Sequence, residues 1–393
     1  MDISRAVPYL EGAVQDRAAD VYEISRELFE SPEIGYEEMR SSALLRDYLL
    51  KQGFEVQMPI AGLDTAFVAR SGSGGESTVA MILEYDAVPE VGHGCGHNLI
   101  AAGTAVAGAA ARSLMHELGV TGVLALIGTP AEEGGLGKMR MLEHDVFEDL
   151  DAALQFHPDR LWGHDEAQLS AQGIHISFEG EPAHSTSAPW NGINALDAVI
   201  QTFNGINALR EHLSADLRIS GVIDDGGGDI ALVPQHAAAH FRVRGYDTGQ
   251  VKEAVEKLRR CAEAGALATG ASLRWRAGPF EPSPVANPAL RDLAVECGGS
   301  FGVDFATPRR ISETTDFGAV SEVVPALLLR ARCWPAGTVS HTPDAARKTL
   351  EPMAQEAALR TAKTLALMAV RMLDDPSLAE QCWDEHIARK DDR

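Results

Sequence analysis

The sequence predicts an α/β protein in which a smaller α+β domain interrupts a larger α/β domain. In the first half, amphipathic helical patterns alternate with short apolar strand patterns, as in layered α/β folds. The middle section has longer strand patterns and ends in residues 278–284 (GPFEPSP), whose prolines disfavour both helix and strand. Helix and strand patterns then resume. We therefore expect a discontinuous domain, residues 1–171 and 284–393, and an inserted domain, residues 172–283.

The elements of both domains follow from the spacing of apolar residues. In the larger domain, helical spacing predicts helices over residues 14–29, 41–52, 98–118 and 288–301. Apolar runs predict its strands over residues 65–70, 78–85, 122–128, 152–155 and 326–331. The inserted domain is predicted to have strands over residues 171–179, 216–223 and 237–246 and helices over residues 195–213 and 251–269. The strands and helices predicted for the inserted domain indicate a two-layer α+β unit.

Length, charge and cysteine content exclude several classes of protein. The 393 residues exceed the usual size of one domain. The formal net charge of −23 would repel a phosphate backbone or an anionic lipid surface, so neither nucleic acid nor a membrane is an expected partner. The five cysteines are scattered and odd in number, and no signal peptide is visible. We expect a cytoplasmic protein without a disulfide framework.

Cys95 and His97 are the first candidate metal ligands. They are two residues apart in the segment 92–98 (GHGCGHN), where flanking glycines allow the backbone to turn both side chains toward one cavity. A thiolate and an imidazole are good ligands for zinc or a similar ion. The alternative is that Cys95 is a small buried residue and that His93 and His97 belong to a turn.

Three further segments carry side chains of the same kind. Glu132 and Glu133 are adjacent carboxylates after an apolar strand, so one can bind a metal while the other accepts a proton from water. His157 closes another apolar strand, and His341 lies in a loop rich in Gly and Pro. Each of these alone also fits a structural or surface residue. Together they indicate a site, because one sheet edge can gather all four segments.

At these residues the sequence resembles metallopeptidase family 20, which includes aminoacylases, carboxypeptidase G and auxin-conjugate hydrolases. The resemblance is greatest to the branch of aminobenzoyl-glutamate hydrolases and aminoacylase-like dipeptidases. The matching motifs follow in the expected order along nearly the whole chain: residues 84–89 (EYDAVP), 92–98, 128–135 (GTPAEEGG), 183–184, 189–195 (PWNGINA), 315–318 (TDFG) and 324–325.

The resemblance implies a dinuclear-metal, exopeptidase-like catalytic domain and assigns roles to the candidate residues. Cys95 would bridge two divalent ions, zinc or manganese. His97 and His157 would complete one ion site, and Glu133 and His341 would complete the other. The resemblance implies that Glu132 is the general base and that Asp86 orients a ligand histidine.

The inserted domain would be the family's lid, through which a homodimer forms. His184 would reach the active site of the partner subunit and stabilise the oxyanion. Arg244 matches the lid arginine that binds a substrate carboxylate. Ala231 departs from the family, which usually has an asparagine at this position, three residues before the lid proline Pro234.

The implied substrate is a small amide: an N-acyl or N-aroyl amino acid, or a dipeptide. Ala231 favours a first alternative, an amidase or deaminase for an aromatic or xenobiotic amide without an amino-acid half. A second alternative is a catalytically silent metal-binding protein. The presence of Glu132 argues against it, because a binding site needs no second carboxylate that is not a ligand.

Overall fold

In the computed structural model, which describes residues 1–74 and 77–391, the chain forms two compact units. The first contains residues 1–167, 284–311 and 315–391. The second contains residues 168–283 with residues 312–314. None of the helices in the described ranges is long and apolar enough to cross a membrane.

Twelve strands and thirteen α-helices make up the described part of the chain. The strands are β1 Glu55–Gln57, β2 Phe67–Ser71, β3 Thr78–Glu84, β4 Val123–Thr129, β5 Ala152–Asp159, β6 Gly163–Ala167, β7 Ser170–Glu179, β8 Arg218–Asp225, β9 His236–Gly245, β10 Ser272–Glu281, β11 Pro308–Arg310 and β12 Ala326–Arg332. The helices are α1 Ile3–Gln15, α2 Ala18–Glu30, α3 Met39–Lys51, α4 His97–Leu118, α5 Glu132–Gly135, α6 Gly137–Leu142, α7 Ala195–Leu209, α8 Thr248–Thr269, α9 Pro288–Gly299, α10 Phe317–Ser321, α11 Pro343–Lys348, α12 Pro352–Asp374 and α13 Pro376–Asp391.

An eight-stranded sheet organises the first unit, in the order β1-β2-β4-β3-β5-β12-β6-β11. Its central strands β4, β3, β5 and β12 are parallel. They are almost fully buried, as expected for strands covered on both faces. The Ala-rich helix α4 packs against α12 and β3. The α/β fold predicted from the sequence is confirmed, and it brings the carboxyl ends of β3, β4 and β5 to one edge.

The second unit is an antiparallel four-stranded sheet in the order β10-β7-β9-β8, with α7 and α8 packed on it. Along β9, buried residues alternate with more exposed ones, because one face packs on the helices and the other does not. Its own apolar core includes Ile174, Phe178, Val199, Phe241 and Leu258.

Two of the differences between the local predictions and the structure have a clear physical reason. Residues 14–29, predicted as one helix, are divided between α1 and α2 by a turn near Arg17. The buried positions Leu10, Val14, Val21 and Leu28 keep a helical spacing across that turn, so periodicity alone could not locate it.

The second difference concerns the proline-rich stretch before Pro284. Strand β10 continues through Gly278 and Pro279 to Glu281, although the prolines of residues 278–284 disfavour a strand. The register with β7 shifts between Ala277 and Phe280, and β10 is an edge strand. A proline is tolerated there, because a bulge on an edge strand needs no backbone N–H at that position.

Candidate metal centre

Three parallel strands deliver polar residues to one edge of the sheet. Glu84 ends β3 and is followed by Asp86, while Glu132 and Glu133 come just after β4. His157 lies near the end of β5, which is longer than predicted. Carboxyl ends of parallel strands are the usual place for ligand sites in such sheets, so these side chains converge by topology.

The Cys95 loop requires glycine on both sides of the cysteine. A Cβ at Gly94 would come within 2.7 Å of Val91 Cγ1 and 3.1 Å of His341 Cα. Gly96 has a φ of 82°, in the left-handed region. The turn brings the Cys95 Sγ to 3.3 Å from the His157 Nε2. The expected convergence of Cys95 with the later histidines is therefore present.

Neighbouring acceptors set the tautomers of the two buried histidines. The His97 Nδ1 lies 3.0 Å from the Asp86 carboxylate oxygen Oδ1, and the His157 Nδ1 lies 2.8 Å from the Pro158 carbonyl oxygen. Both neighbours only accept hydrogen bonds, so each Nδ1 carries a proton and each Nε2 is the ring atom left for a metal. Burial lowers the pKa of His97, but the charges of Asp86 and Cys95 outweigh it and raise that pKa well above its usual value, so the His97 Nε2 must lose its proton when a cation binds. The His97 Nε2 is buried and has no hydrogen-bond partner among the described residues.

Asp86 also positions the second carboxylate segment. Its other oxygen, Oδ2, accepts a hydrogen bond of 2.8 Å from the Glu133 backbone N–H. The Glu133 Oε1 is buried without a hydrogen-bond partner in the described chain, and the His341 Nε2 lies 3.4 Å from it. One carboxylate thus orients a histidine and a glutamate that belong to different segments.

His341 is the most exposed of these side chains, at 51%. Its φ of 59° is left-handed, an uncommon conformation for a residue other than glycine. The backbone N–H of His341 donates a 2.9 Å hydrogen bond to the Gly94 carbonyl oxygen. This contact ties the His341 loop to the Cys95 loop and holds the unusual conformation.

The donor atoms form two groups that share one sulfur. Cys95, His97 and His157 form the first group, and Cys95, Glu133 and His341 form the second; within each group all donor atoms lie within 4.8 Å of one another. Buried, unpartnered donors such as the His97 Nε2 and the Glu133 Oε1 are costly unless something binds them. A thiolate with imidazole and carboxylate suits a divalent transition metal. These residues therefore fit two ions that share the Cys95 sulfur.

Burial shifts the pKa values of the candidate ligands in opposite directions. Burial, and then the charge of Arg330, lower the pKa of His157 to about 3, so its ring is neutral and can bind a cation. Burial raises the pKa of the Cys95 thiol well above its usual value. Because a thiolate is the metal-binding form, cation binding at Cys95 must release a proton.

Glu132 lies beside both groups. Its Oε2 is 3.9 Å from the His97 Nε2. Burial raises the pKa of Glu132 well above its usual value, and the carboxylates of Glu84 and Asp316 raise it further. A carboxylate that holds a proton more readily than usual is suited to general acid–base chemistry near neutral pH.

Sequence reasoning missed a buried network next to Glu132. The Lys138 Nζ lies 2.5 Å from the Glu84 Oε1 and 2.5 Å from the Asp316 Oδ1, and all three side chains are almost fully buried. Glu84 and Asp316 lie in the motifs 84–89 and 315–318, which gave a signal for them. Lys138 gave none, because lysine in a sequence normally indicates an exposed position.

Glu38 was missed as well. Its carboxylate accepts hydrogen bonds from the Ala131 N–H at 2.8 Å and from the Thr65 hydroxyl at 2.9 Å. Ala131 directly precedes Glu132 and has a left-handed φ of 57°. Glu38 therefore holds the turn that presents Glu132.

His184 lies in the second unit, in an exposed turn. Its Nδ1 accepts hydrogen bonds from the backbone N–H groups of Thr186 and Ser187, both at 3.3 Å. A ring nitrogen that accepts carries no proton, so the neutral ring has its proton on Nε2 and can donate there. The Ala231 carbonyl oxygen accepts a 2.9 Å hydrogen bond from the Ser185 N–H, so Ala231 borders the His184 turn.

Arg244 lies on β9, also in the second unit, and is partly buried. Burial, and then the charge of Arg242, lower its pKa. Arg242 itself is paired with Glu281 at 2.6 Å. No carboxylate in the described ranges lies within salt-bridge distance of Arg244, so its guanidinium is available to an anion.

Comparisons with known proteins show what the whole chain is similar to. The chain is 30% identical over 390 residues to the Xaa-Arg dipeptidase of Mus musculus, across 93% of this chain and 89% of the relative. It is 26% identical to one of the subunits of the p-aminobenzoyl-glutamate hydrolase of Escherichia coli (strain K12), across 96% and 94% of the two chains.

The fold is also that of a solved structure. A dinuclear metal binding peptidase of the M20 family from Bacillus subtilis superposes with a TM-score of 0.72 at 20% identity, covering 91% of this chain and 99% of that one. The model of peptidase family M20/M25/M40 matches residues 78–366, which run from the start of β3 into α12 and include all the candidate ligands. The resemblance seen in the sequence motifs is confirmed, and the chain belongs to peptidase family M20/M25/M40.

Proposed function

We propose that this protein is a metal-dependent hydrolase that cleaves the amide bond of an N-acyl or N-aroyl amino acid or of a dipeptide. The single observation that carries the proposal is the Cys95 sulfur, which belongs to two donor groups, with Glu132 beside both. A purely metal-storing protein has no use for a buried carboxylate of raised pKa at that place. The membership in a peptidase family points the same way.

Two divalent ions, zinc or manganese, are the proposed cofactors. Cys95, His97 and His157 would hold one ion, and Cys95, Glu133 and His341 would hold the other. When bound, the ions would polarise the amide carbonyl and increase the acidity of the attacking water. The thiolate and imidazoles suit zinc, while the carboxylate also suits manganese.

Glu132 is proposed as the general base. Its carboxylate would take a proton from the attacking water and deliver it to the leaving nitrogen. The hydrogen bond from Ala131 to Glu38 holds the turn before it, so Glu132 meets the reactants in a defined position. Asp86 would keep His97 and Glu133 in place during this proton transfer.

His184 and Arg244 are proposed to act on the substrate. The His184 Nε2–H would donate a hydrogen bond to the oxyanion in the partner subunit's active site. Arg244 would bind the substrate carboxylate, because its guanidinium has no carboxylate partner in the described chain.

A homodimer through the second unit completes the proposal. Strand β8 is an edge strand of its sheet, and its Val222 and Ile223 are 55% and 42% exposed. An unpaired edge with apolar side chains readily pairs with a second copy. A molar mass of one chain in solution would exclude this assembly. Because the name of the Escherichia coli relative describes one component of a hydrolase, a complex with a different chain is the alternative outcome.

A reducing compartment such as the cytoplasm is the proposed location. All five cysteines are free thiols in the structure. Four of them are buried, and Cys95 must stay reduced to bind a cation.

The proposed function is tested by hydrolysis of matched amides with the metal-loaded protein. Aminobenzoyl-glutamate, N-acetyl amino acids and dipeptides ending in arginine form one arm, and the same compounds with carboxamides in place of carboxylates form the other. Faster cleavage of the carboxylates supports the proposal. Preference for the uncharged arm would favour the amidase suggested by Ala231, and full metal content without any cleavage would indicate a silent binding protein.

A further inference from the structure

Glu84 carries an oxygen that the roles described so far do not use. The residue ends β3, and its side chain is 1% exposed. Its Oε1 contacts the Lys138 Nζ at 2.5 Å. Its Oε2 is buried and has no hydrogen-bond partner among the described residues.

The unpartnered Oε2 points at the metal centre. It lies 3.6 Å from the His97 Nε2, which is itself buried and unpartnered. This distance is too long for a hydrogen bond between the two atoms. Two buried polar atoms without a partner destabilise the interior, so the pair indicates a ligand that both atoms bind.

The separation agrees with two donors that bind one ion. Donor atoms about 2.1 Å from the same zinc ion are about 3.4 Å apart at the tetrahedral angle and about 4.2 Å apart when they face each other. The observed 3.6 Å lies within that interval. In the first donor group, the 3.3 Å between the Cys95 Sγ and the His157 Nε2 compares with about 3.5 Å expected for tetrahedral zinc.

Lys138 determines which way the Glu84 carboxylate points. An ammonium group only donates hydrogen bonds, and this one is held from the other side by the Asp316 Oδ1 at 2.5 Å. The Lys138 backbone N–H donates to the other oxygen of Asp316 at 2.9 Å. With one oxygen of Glu84 anchored on this fixed cation, the second oxygen has to face the centre.

We propose that Glu84 is a further ligand of the ion held by His97, and that Lys138 is the positioning residue that holds its carboxylate for this role. The proposal rests on the two-ion site of the proposed function and adds an oxygen donor to it. It explains why a lysine is buried beside a metal centre: the ammonium neutralises Asp316 and leaves Glu84 one free oxygen. A third cation at Glu84, Glu132 and Asp316 is unnecessary, because Lys138 supplies that charge.

Glu84→Gln tests this ligand directly. The glutamine oxygen must accept from Lys138, so its NH₂ group takes the place of Oε2 and cannot bind a metal. We expect the affinity for one of the two zinc ions to fall about 10-fold or more, measured by competition with a chromophoric chelator, while the other ion binds as before. The cobalt-substituted variant should also absorb more strongly in the visible region, because a lower coordination number increases d–d intensity.

Asp316→Asn is the matched control, because it removes the same negative charge from Lys138 without removing an oxygen that faces His97. If Glu84→Gln weakens zinc binding no more than Asp316→Asn does, the effect is one of charge and the proposal is overturned. Should Glu84→Gln fail to fold, a crystal structure of the zinc-loaded wild-type protein decides. The Oε2 should lie about 2.0–2.2 Å from an ion, and a separation above about 3 Å refutes the proposal.

The proposed function fails in a different way. If the wild-type protein binds two ions but hydrolyses no amide, the proposed activity is refuted and the proposal that Glu84 is a ligand is unaffected. If the wild-type protein binds no divalent ion, the proposed function and the proposed role of Glu84 are both refuted.

Discussion

The two units keep their candidate functional side chains in opposite environments. In the first unit, Cys95 and His97 are buried, and each has neighbours that orient it before any ligand arrives. In the second unit, His184 is exposed and Arg244 is only partly buried. The side chains of the first unit are therefore held in place by contacts within their own chain. The side chains of the second unit have fewer such contacts and are accessible to a substrate or a partner. Removing a member of the two donor groups, all of which lie in the first unit, should therefore weaken cation binding, whereas changes at His184 or Arg244 in the second unit should affect hydrolysis without changing the metal content.

The largest expected effect is that of Cys95→Ala. The Cys95 sulfur belongs to both donor groups, so its removal should weaken the binding of both ions and abolish hydrolysis. Elemental analysis measures the first effect and a hydrolysis assay the second. Cys333→Ala is the matched control, because that thiol is also buried with a raised pKa but belongs to neither group. Full metal occupancy in Cys95→Ala would show that the two ions do not share this sulfur.

The same substitution should change the pH dependence of metal binding. The pKa of the Cys95 thiol is raised, so at neutral pH it is protonated, and it must release its one proton when the sulfur first binds an ion. Zinc affinity of the wild-type protein should therefore rise by up to about tenfold per pH unit below the thiol pKa. In Cys95→Ala the slope should be smaller by one proton, and an equal slope would place the released proton elsewhere.

Glu132→Gln should come next in magnitude. Glutamine keeps the shape of the side chain but cannot accept a proton, so turnover should fall about 100- to 10,000-fold. Metal content should stay at the wild-type value, in contrast to Glu133→Gln, which removes a member of the second donor group. A Glu132→Gln protein that turns over at nearly the wild-type rate would exclude Glu132 as the base.

His184→Ala provides the sharpest contrast between the units. Loss of an oxyanion donor typically lowers turnover about 100-fold or more, and metal content should be unchanged because His184 belongs to neither donor group. Mixing His184→Ala with Glu132→Gln and allowing subunits to exchange should restore part of the activity, since one composite site becomes intact. A verified mixed dimer without recovered activity would mean that His184 acts within its own chain or has no catalytic role.

The sequence predicted the parts of the centre that depend on local pattern. Runs of apolar residues predicted the strands that precede Glu132 and His157. The spacing of Cys95 and His97 indicated metal binding without knowledge of the fold. The α/β class followed from the same runs. The residues that were not predicted depend on contacts between positions distant in sequence.

Lys138 illustrates that limit. Its charge is balanced by Glu84, which precedes it by 54 positions, and by Asp316, which follows it by 178 positions. No local pattern separates it from an exposed lysine. Glu38 is similar, because its partner Ala131 is 93 residues away. Periodicity also could not place the turn at Arg17, since the apolar spacing is unbroken there, and the long C-terminal helix α12 was not predicted.

The entry and exit of the inserted segment bear on how the chain folds. Strands β7 and β10, which begin and end it, are direct neighbours, and the Ser283 N–H donates a 2.9 Å hydrogen bond to the Ser170 hydroxyl. Each doubling of an open loop costs about 0.6 kcal/mol in closure entropy. Once β7 and β10 have paired, however, the long insertion acts as a short connection. Strand β12, which follows the insertion in sequence, can then pair with β5 without closing a long loop.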